Sequence, residues 1–110
     1  MKQGEFWFAN LDRVTGSEQA GLRPVVIISG NLMIEHLAVV MVVPLTTKVK
    51  NYKGNPVLKP GKETGQKAES EMLVFHVRSI SKFRLINRVG SITSEEVQLA
   101  IKPLNENVRC

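Results

Sequence analysis

Few side chains in this 110-residue sequence are equipped for chemistry, and the absences narrow the field first. One cysteine, Cys110, and two widely separated histidines, His36 and His76, are all it has of either type. A zinc site draws several ligands from those residues, so neither a metal site nor any other cofactor is predicted. No Gly-rich phosphate loop is present, no serine stands in a nucleophile elbow, and no carboxylates are obviously paired for acid–base work. His36, beside Glu35 near the start of a β-branched run, reads as structural or solvent-facing. A lone cysteine cannot form an internal disulfide, which fits a reducing cytoplasm.

The positive charge carries more information. The chain has a formal net charge of +5, but the segment from Thr47 to Arg88 holds ten Lys/Arg against three Glu, or +7. The remainder holds five basic and seven acidic residues, or −2. A basic middle points to an anionic partner, nucleic acid or acidic protein. A solvated lysine-rich loop accounts for the same charge equally well.

These residues need elements to hold them. Glu5 to Leu11 is aromatic and strand-like. Asp12 to Leu22 has no sustained apolar period and reads as a loop. Pro24 to Ser29 is a buried β-branched strand, and Gly30-Asn31 signals a turn. Leu37 to Leu45 is a third strand, in which Pro44 predicts an edge or a bulge. Only Pro56-Val57-Leu58 looks strand-forming between Thr46 and Ser70. Met72 to Ile80 reads as one continuous strand, with Leu73, Phe75 and Val77 on a core face and Met72, Val74, His76 and Arg78 on the opposite face. Ser81 is placed to cap a short turn, and Arg88 to Ile92 forms a last strand. Thr93 and Glu96 form a capping box for a helix carrying Val97, Ala100, Ile101 and Leu104, which Pro103 should end or kink. The sum is a mainly β, small, curled, SH3-like barrel with a C-terminal helix. Residues 1–110 are expected to form a single domain. The start is not a signal peptide, and the Leu37–Val43 run is too short to span a bilayer. The protein is therefore expected to be cytoplasmic, with no membrane partner.

One element is far more specific. Gly4-Glu5-Phe6-Trp7-Phe8-Ala9-Asn10-Leu11, followed by Gly16-Ser17-Glu18-Gln19-Ala20-Gly21-Leu22-Arg23-Pro24 and a β-branched run, strongly resembles the opening of the MazF/PemK family. Val42-Val43-Pro44-Leu45-Thr46-Thr47 resembles the family's third-strand end. Ser70 to Ile80 resembles its later strand, and Ser81-Lys82-Phe83-Arg84-Leu85 the turn after it. The likeness covers nearly the whole chain. It implies a CcdB-like barrel, a homodimer with RNA bound in grooves near the seam, and an acidic antitoxin of the MazE/PemI kind that blocks them. The implied activity is metal-independent cleavage of single-stranded RNA at short sequences, leaving a 2′,3′-cyclic phosphate and a 5′-hydroxyl.

By the same resemblance, Arg23 and Thr46 occupy the family's catalytic positions. Arginine is a permanent cation with a planar fork suited to two phosphate oxygens, and a poor base. Threonine's hydroxyl can donate to a non-bridging oxygen or orient the 2′-hydroxyl. Ser17, Glu18 and Gln19 are expected to read or position bases, since splayed single-stranded bases expose their edges. Thr47, Lys48, His76 and Arg78 complete the expected RNA-binding set. Many family members carry an acidic residue and then Gln where this chain has Phe75 and His76. Phe75 cannot replace that acid and is expected in the core. His76 either contacts a base or the dimer seam, or exchanges protons near neutral pH. A CcdB-like gyrase-binding toxin shares the fold, but the stretch from Asn105 to Cys110 lacks the bulky aromatic expected of it. Retention of both Arg23 and Thr46 argues against a catalytically dead binding module.

Overall fold

The computed structural model describes residues 1–11, 22–50, 54–59 and 69–108. Among them are strands β1 (Glu5–Asn10), β2 (Leu22–Ile27), β3 (Val39–Thr46), β4 (Val57–Leu58), β5 (Ser70–Met72), β6 (Arg78–Ser81) and β7 (Leu85–Ser91). Two helices, α1 (Asn31–His36) and α2 (Ser94–Val108), complete the set with two short 3-10 turns. The described pairings are antiparallel and run β4-β5-β3-β2-β1-β7, with β6 also on β3. Register shifts between β1 and β7, after Phe6 and after Phe8, add twist where the sheet curls. The result is the mainly β, curled architecture with a C-terminal helix that the patterning predicts.

β3 is the hub. One edge pairs with β2, and the other is shared, β6 taking Val39 to Val42 and β5 taking Leu45 and Thr46. Pro44 is thus neither at an edge nor in a bulge, as its residue type predicts, but in the most heavily paired strand. The amide it lacks falls at the changeover between β6 and β5, so little ladder bonding is lost. Its carbonyl still accepts from the Leu73 amide at 2.8 Å.

Both faces of β2 and β3 are covered, which explains their unbroken apolar runs. Val26, Ile28, Val43 and Leu45 pack with Phe6, Met72 and Val74 beneath Val97 and Ala100 of α2. Val25, Ile27, Val40 and Val42 pack on the opposite face with Leu11, Ile34 and Ile80. The period of two along each strand is what sends alternate residues to the two clusters.

Three local expectations change. Gly30-Asn31 does not make a simple turn but leads into α1, a six-residue helix of which only Ile34 is buried. That is too short for a helical period to show. Of the two outcomes expected of Pro103, an end or a kink, the end does not occur, since α2 runs on to Val108. What proline removes is the one amide that would have bonded the Leu99 carbonyl. Met72 to Ile80 is not one strand: β5 and β6 flank a 3-10 turn at Val74–His76. The turn breaks the alternation, so Met72 and Val74, expected on the face opposite the core, are fully buried. Phe75 is 53% exposed and lies outside the core, where strand alternation had placed it. Its ring lies against Gly54, whose φ of +94° admits little but glycine.

Candidate active site

The register that builds the sheet also builds a cleft. β2 and β3 are aligned with Val25 opposite Pro44. Continuing that alignment outward by two residues sets Arg23 across from Thr46, on the same face. This is the face of Val25 and Val42, where the second apolar cluster gives out. Arg23, Thr46, His76 and Arg78 line a cleft of about 350 Å³, walled by Leu11 and Leu73. Arg78 reaches it from β6, paired with Val42 across the sheet. His76 reaches it from the 3-10 turn, so the side chain comes to the groove by a route that strand alternation did not foresee.

A second cleft of about 290 Å³ adjoins the first through Thr46, Leu73 and His76, and adds Lys48, Lys50 and Glu71. Together they make a groove whose rim carries arginine and lysine from several segments. Such a rim gathers anions and stabilises negative charge that develops within it. The Thr46 hydroxyl oxygen accepts from the Lys48 amide at 3.1 Å, which leaves its O–H to donate into the groove.

Of the residues singled out from sequence, Arg23, Thr46, His76 and Arg78 converge, with Lys48 in the adjoining lobe. Thr47 is exposed beside Thr46 and lines neither cleft. Ser17, Glu18 and Gln19, and all of the expected loop over residues 12–22 but its last residue, lie outside the described residues, and Leu22 opens β2 rather than closing a loop. His36 is exposed at the end of α1, 4.0 Å from the Glu35 carboxylate, and is solvent-facing as expected. Lys50 and Glu71 also line the groove without having been singled out from sequence, and Leu73, expected on a core face, is half-buried and lines it too. Lys50 was legible only as part of the basic segment, and nothing in Ser70-Glu71-Met72 marks the glutamate as buried. Among the described residues no three His, Cys, Asp or Glu side chains converge as a metal-ligand group. None of the described helices is long and apolar enough to cross a membrane.

Residues 2–107 match the model of the PemK-like, MazF-like toxins of type II toxin-antitoxin systems. The chain belongs to the PemK/MazF toxin family. The Escherichia coli K12 endoribonuclease toxin MazF is 32% identical over 103 residues, covering 93% of this chain and 88% of the relative. Endoribonuclease EndoA of Bacillus subtilis is 30% identical over 96 residues, covering 86% and 83%. Among solved structures, a chain of the Deinococcus radiodurans MazE–MazF crystal structure (form II) superposes with a TM-score of 0.80 at 20% identity, covering 96% of this chain and 93% of that one. The Mycobacterium tuberculosis toxin MazF-mt6 gives a TM-score of 0.74, also at 20% identity, covering 93% of each chain. In this PemK/MazF chain, the residues that carry the family resemblance at Arg23 and Thr46 are those the sheet sets across from each other.

Proposed function

We propose that this protein is the toxin of a type II toxin-antitoxin pair and cuts single-stranded RNA at a short preferred sequence. The observation that carries the reading is the convergence of Arg23 and Thr46 in one groove with His76 and Arg78. Relatives at 30% and 32% identity are named endoribonucleases, which supplies the reaction class.

The reaction is attack of the ribose 2′-hydroxyl on the adjacent 3′-phosphorus, which needs no metal: the O2′–P bond forms as the 2′-proton is taken up, the P–O5′ bond breaks, and the leaving 5′-oxygen receives a proton. It leaves a 2′,3′-cyclic phosphate and a 5′-hydroxyl. Negative charge grows on the non-bridging oxygens as the phosphorane forms, and a pre-placed guanidinium there costs no reorganisation. Arg23 fills that role, its fork matching two oxygens at once. Thr46 donates its O–H to a phosphate oxygen or orients the 2′-hydroxyl. Arg78 and Lys48 hold neighbouring phosphates, and Ser17, Glu18, Gln19 and Thr47 contact the RNA alongside them. His76 contacts a base or the dimer seam, or passes a proton, Phe75 beside it having no group to do so. The protein works in the cytoplasm as a homodimer of single-domain subunits, and an acidic antitoxin silences it. The D. radiodurans MazE–MazF structure supports a partner of that kind.

Incubation with a long single-stranded RNA in EDTA, followed by mapping of the ends, tests the reading. Cleavage that persists in chelator at a short recurring sequence with 5′-hydroxyl ends is expected. Complete loss of activity in EDTA with rescue by magnesium overturns the mechanism.

A further inference from the structure

Glu71 is an acidic side chain with 1% exposure that takes no part in the proposed reaction. It sits on β5 opposite Thr46 and lines the second lobe of the groove. Beneath an anion-binding surface its charge works against phosphate, and burial of a carboxylate is costly unless donors match it. Two donors among its partners help to offset that cost. Lys50 donates its amide to Oε1 at 2.7 Å, and Asn55 donates Nδ2 to Oε2 at 2.8 Å. Asn55 in turn accepts the Val74 amide on Oδ1 at 3.2 Å.

The relay joins two walls of the groove. One end is the segment after Thr46 that carries Lys48 and Lys50, and the other is the 3-10 turn that carries His76. Its direction is fixed, because both ends are backbone N–H groups that only donate. Asn55 must turn its oxygen to Val74 and its amide nitrogen inward. The group in the middle must therefore accept from both sides, which a carboxylate does and a carboxamide does not.

We propose that Glu71 is a positioning residue of the RNA groove: its buried carboxylate locks the Lys48–Lys50 segment and the His76 turn in register about Thr46. The inference rests on the ribonuclease reading and names a residue that sets the geometry of that site. In Glu71→Gln, turning the carboxamide either way sets N–H against N–H, at Lys50 or at Asn55. Adding Asn55→Asp moves the carboxylate one step along the relay and restores the pattern. The relocated carboxylate accepts from both the Val74 amide and the new carboxamide nitrogen, whose oxygen is then free to accept from Lys50.

The test compares wild type, Glu71→Gln, Asn55→Asp and the double variant, at a temperature where circular dichroism shows all four folded. In Glu71→Gln, kcat/KM on RNA is expected to fall by about tenfold or more, and amide exchange at Lys50 and Val74 to quicken. The slope of log KM against log salt should flatten by about one phosphate contact, near 0.7, since Lys48 and Lys50 are no longer held together. A residue that merely adds stability would not move that slope. Asn55→Asp sets two carboxylates together and also loses activity, and the double variant regains most of it. If Glu71→Gln is too unstable to assay, the double variant alone decides: folded and active is expected, folded and inactive overturns the proposal. A wild type that cuts RNA beside an equally active Glu71→Gln with an unchanged salt slope overturns this inference alone. A wild type that cuts no RNA overturns the ribonuclease reading and this inference with it.

Discussion

Arg23 shows how little of a catalytic role is written in one residue and how much in its neighbours. Its type makes it a cation, and only Gly21-Leu22-Arg23-Pro24 and the sheet register, which continues to Thr46, single it out for the phosphate role proposed above. Arg23→Ala should lower the cleavage rate by roughly 10²- to 10³-fold, the loss expected for one donor aimed at developing charge. Arg23→Lys should recover little of it, because an ammonium cannot reproduce the bidentate fork. Rates on one RNA substrate, with folding checked by thermal melts, give the answer, and near-full activity in the lysine variant would reduce the role to general electrostatics. The same dependence on neighbours explains what was legible in the site. Arg23 and Thr46 stand at strand ends within recognisable motifs. Glu71 acts through Asn55 and a backbone amide of Lys50, partners far from it in sequence that no local pattern brings to mind.

At the scale of elements, legibility followed length and period. The alternating runs of β2 and β3 and the capping box of α2 are visible because local spacing and tertiary packing agree. The Glu96 amide donates to Thr93 Oγ1 at 3.1 Å, and Glu96 Oε1 accepts from the Thr93 amide at 2.9 Å. Thr93→Ala should therefore cost about 1 kcal/mol, a fall in Tm of roughly 4 °C for a domain of this size. The 3-10 turn at Val74–His76 was hidden because Met72 to Ile80 is apolar enough to read as a strand. Only the handover of β3 from β6 to β5 requires the break. The seam between β1 and β7 is held by Glu5, which accepts from Trp7 Nε1 at 2.9 Å and from the Lys2 amide at 3.0 Å, with Arg88 Nε 3.1 Å away. Burial pushes the Glu5 carboxyl up, but those hydrogen bonds, the N-terminal ammonium and Arg88 outweigh it and hold the group below its usual value of 4.5. A carboxyl depressed in the folded state adds stability above its unfolded value and loses it as pH falls through the folded one. Denaturant melts followed by Trp7, the only tryptophan, should show wild type more stable than Glu5→Gln at pH 7, with the gap closing below about pH 4. A gap that stays constant through that range would mean the charge of Glu5 contributes nothing.

The whole molecule is a charge distribution as much as a fold. Three of the ten basic residues between Thr47 and Arg88, namely Lys48, Lys50 and Arg78, line one groove with Arg23. An extended acidic peptide from the antitoxin can follow that rim along the path proposed for RNA, carboxylates taking the places of phosphates. Two consequences follow from charge alone. Peptide and RNA should exclude each other, because Arg23 and Arg78 cannot serve both. The peptide's affinity should also fall steeply with salt, because rim charges are screened over about 8 Å at physiological ionic strength and bound ions are released on association. Competition between a labelled single-stranded RNA and the peptide, titrated at about 50 mM and about 200 mM salt, reads both. Arg78→Ala and Lys48→Ala should each weaken the peptide and flatten its salt dependence without unfolding the chain, both side chains being exposed. A peptide that inhibits equally at both salts, or binds without displacing RNA, would place the antitoxin on another face of the barrel.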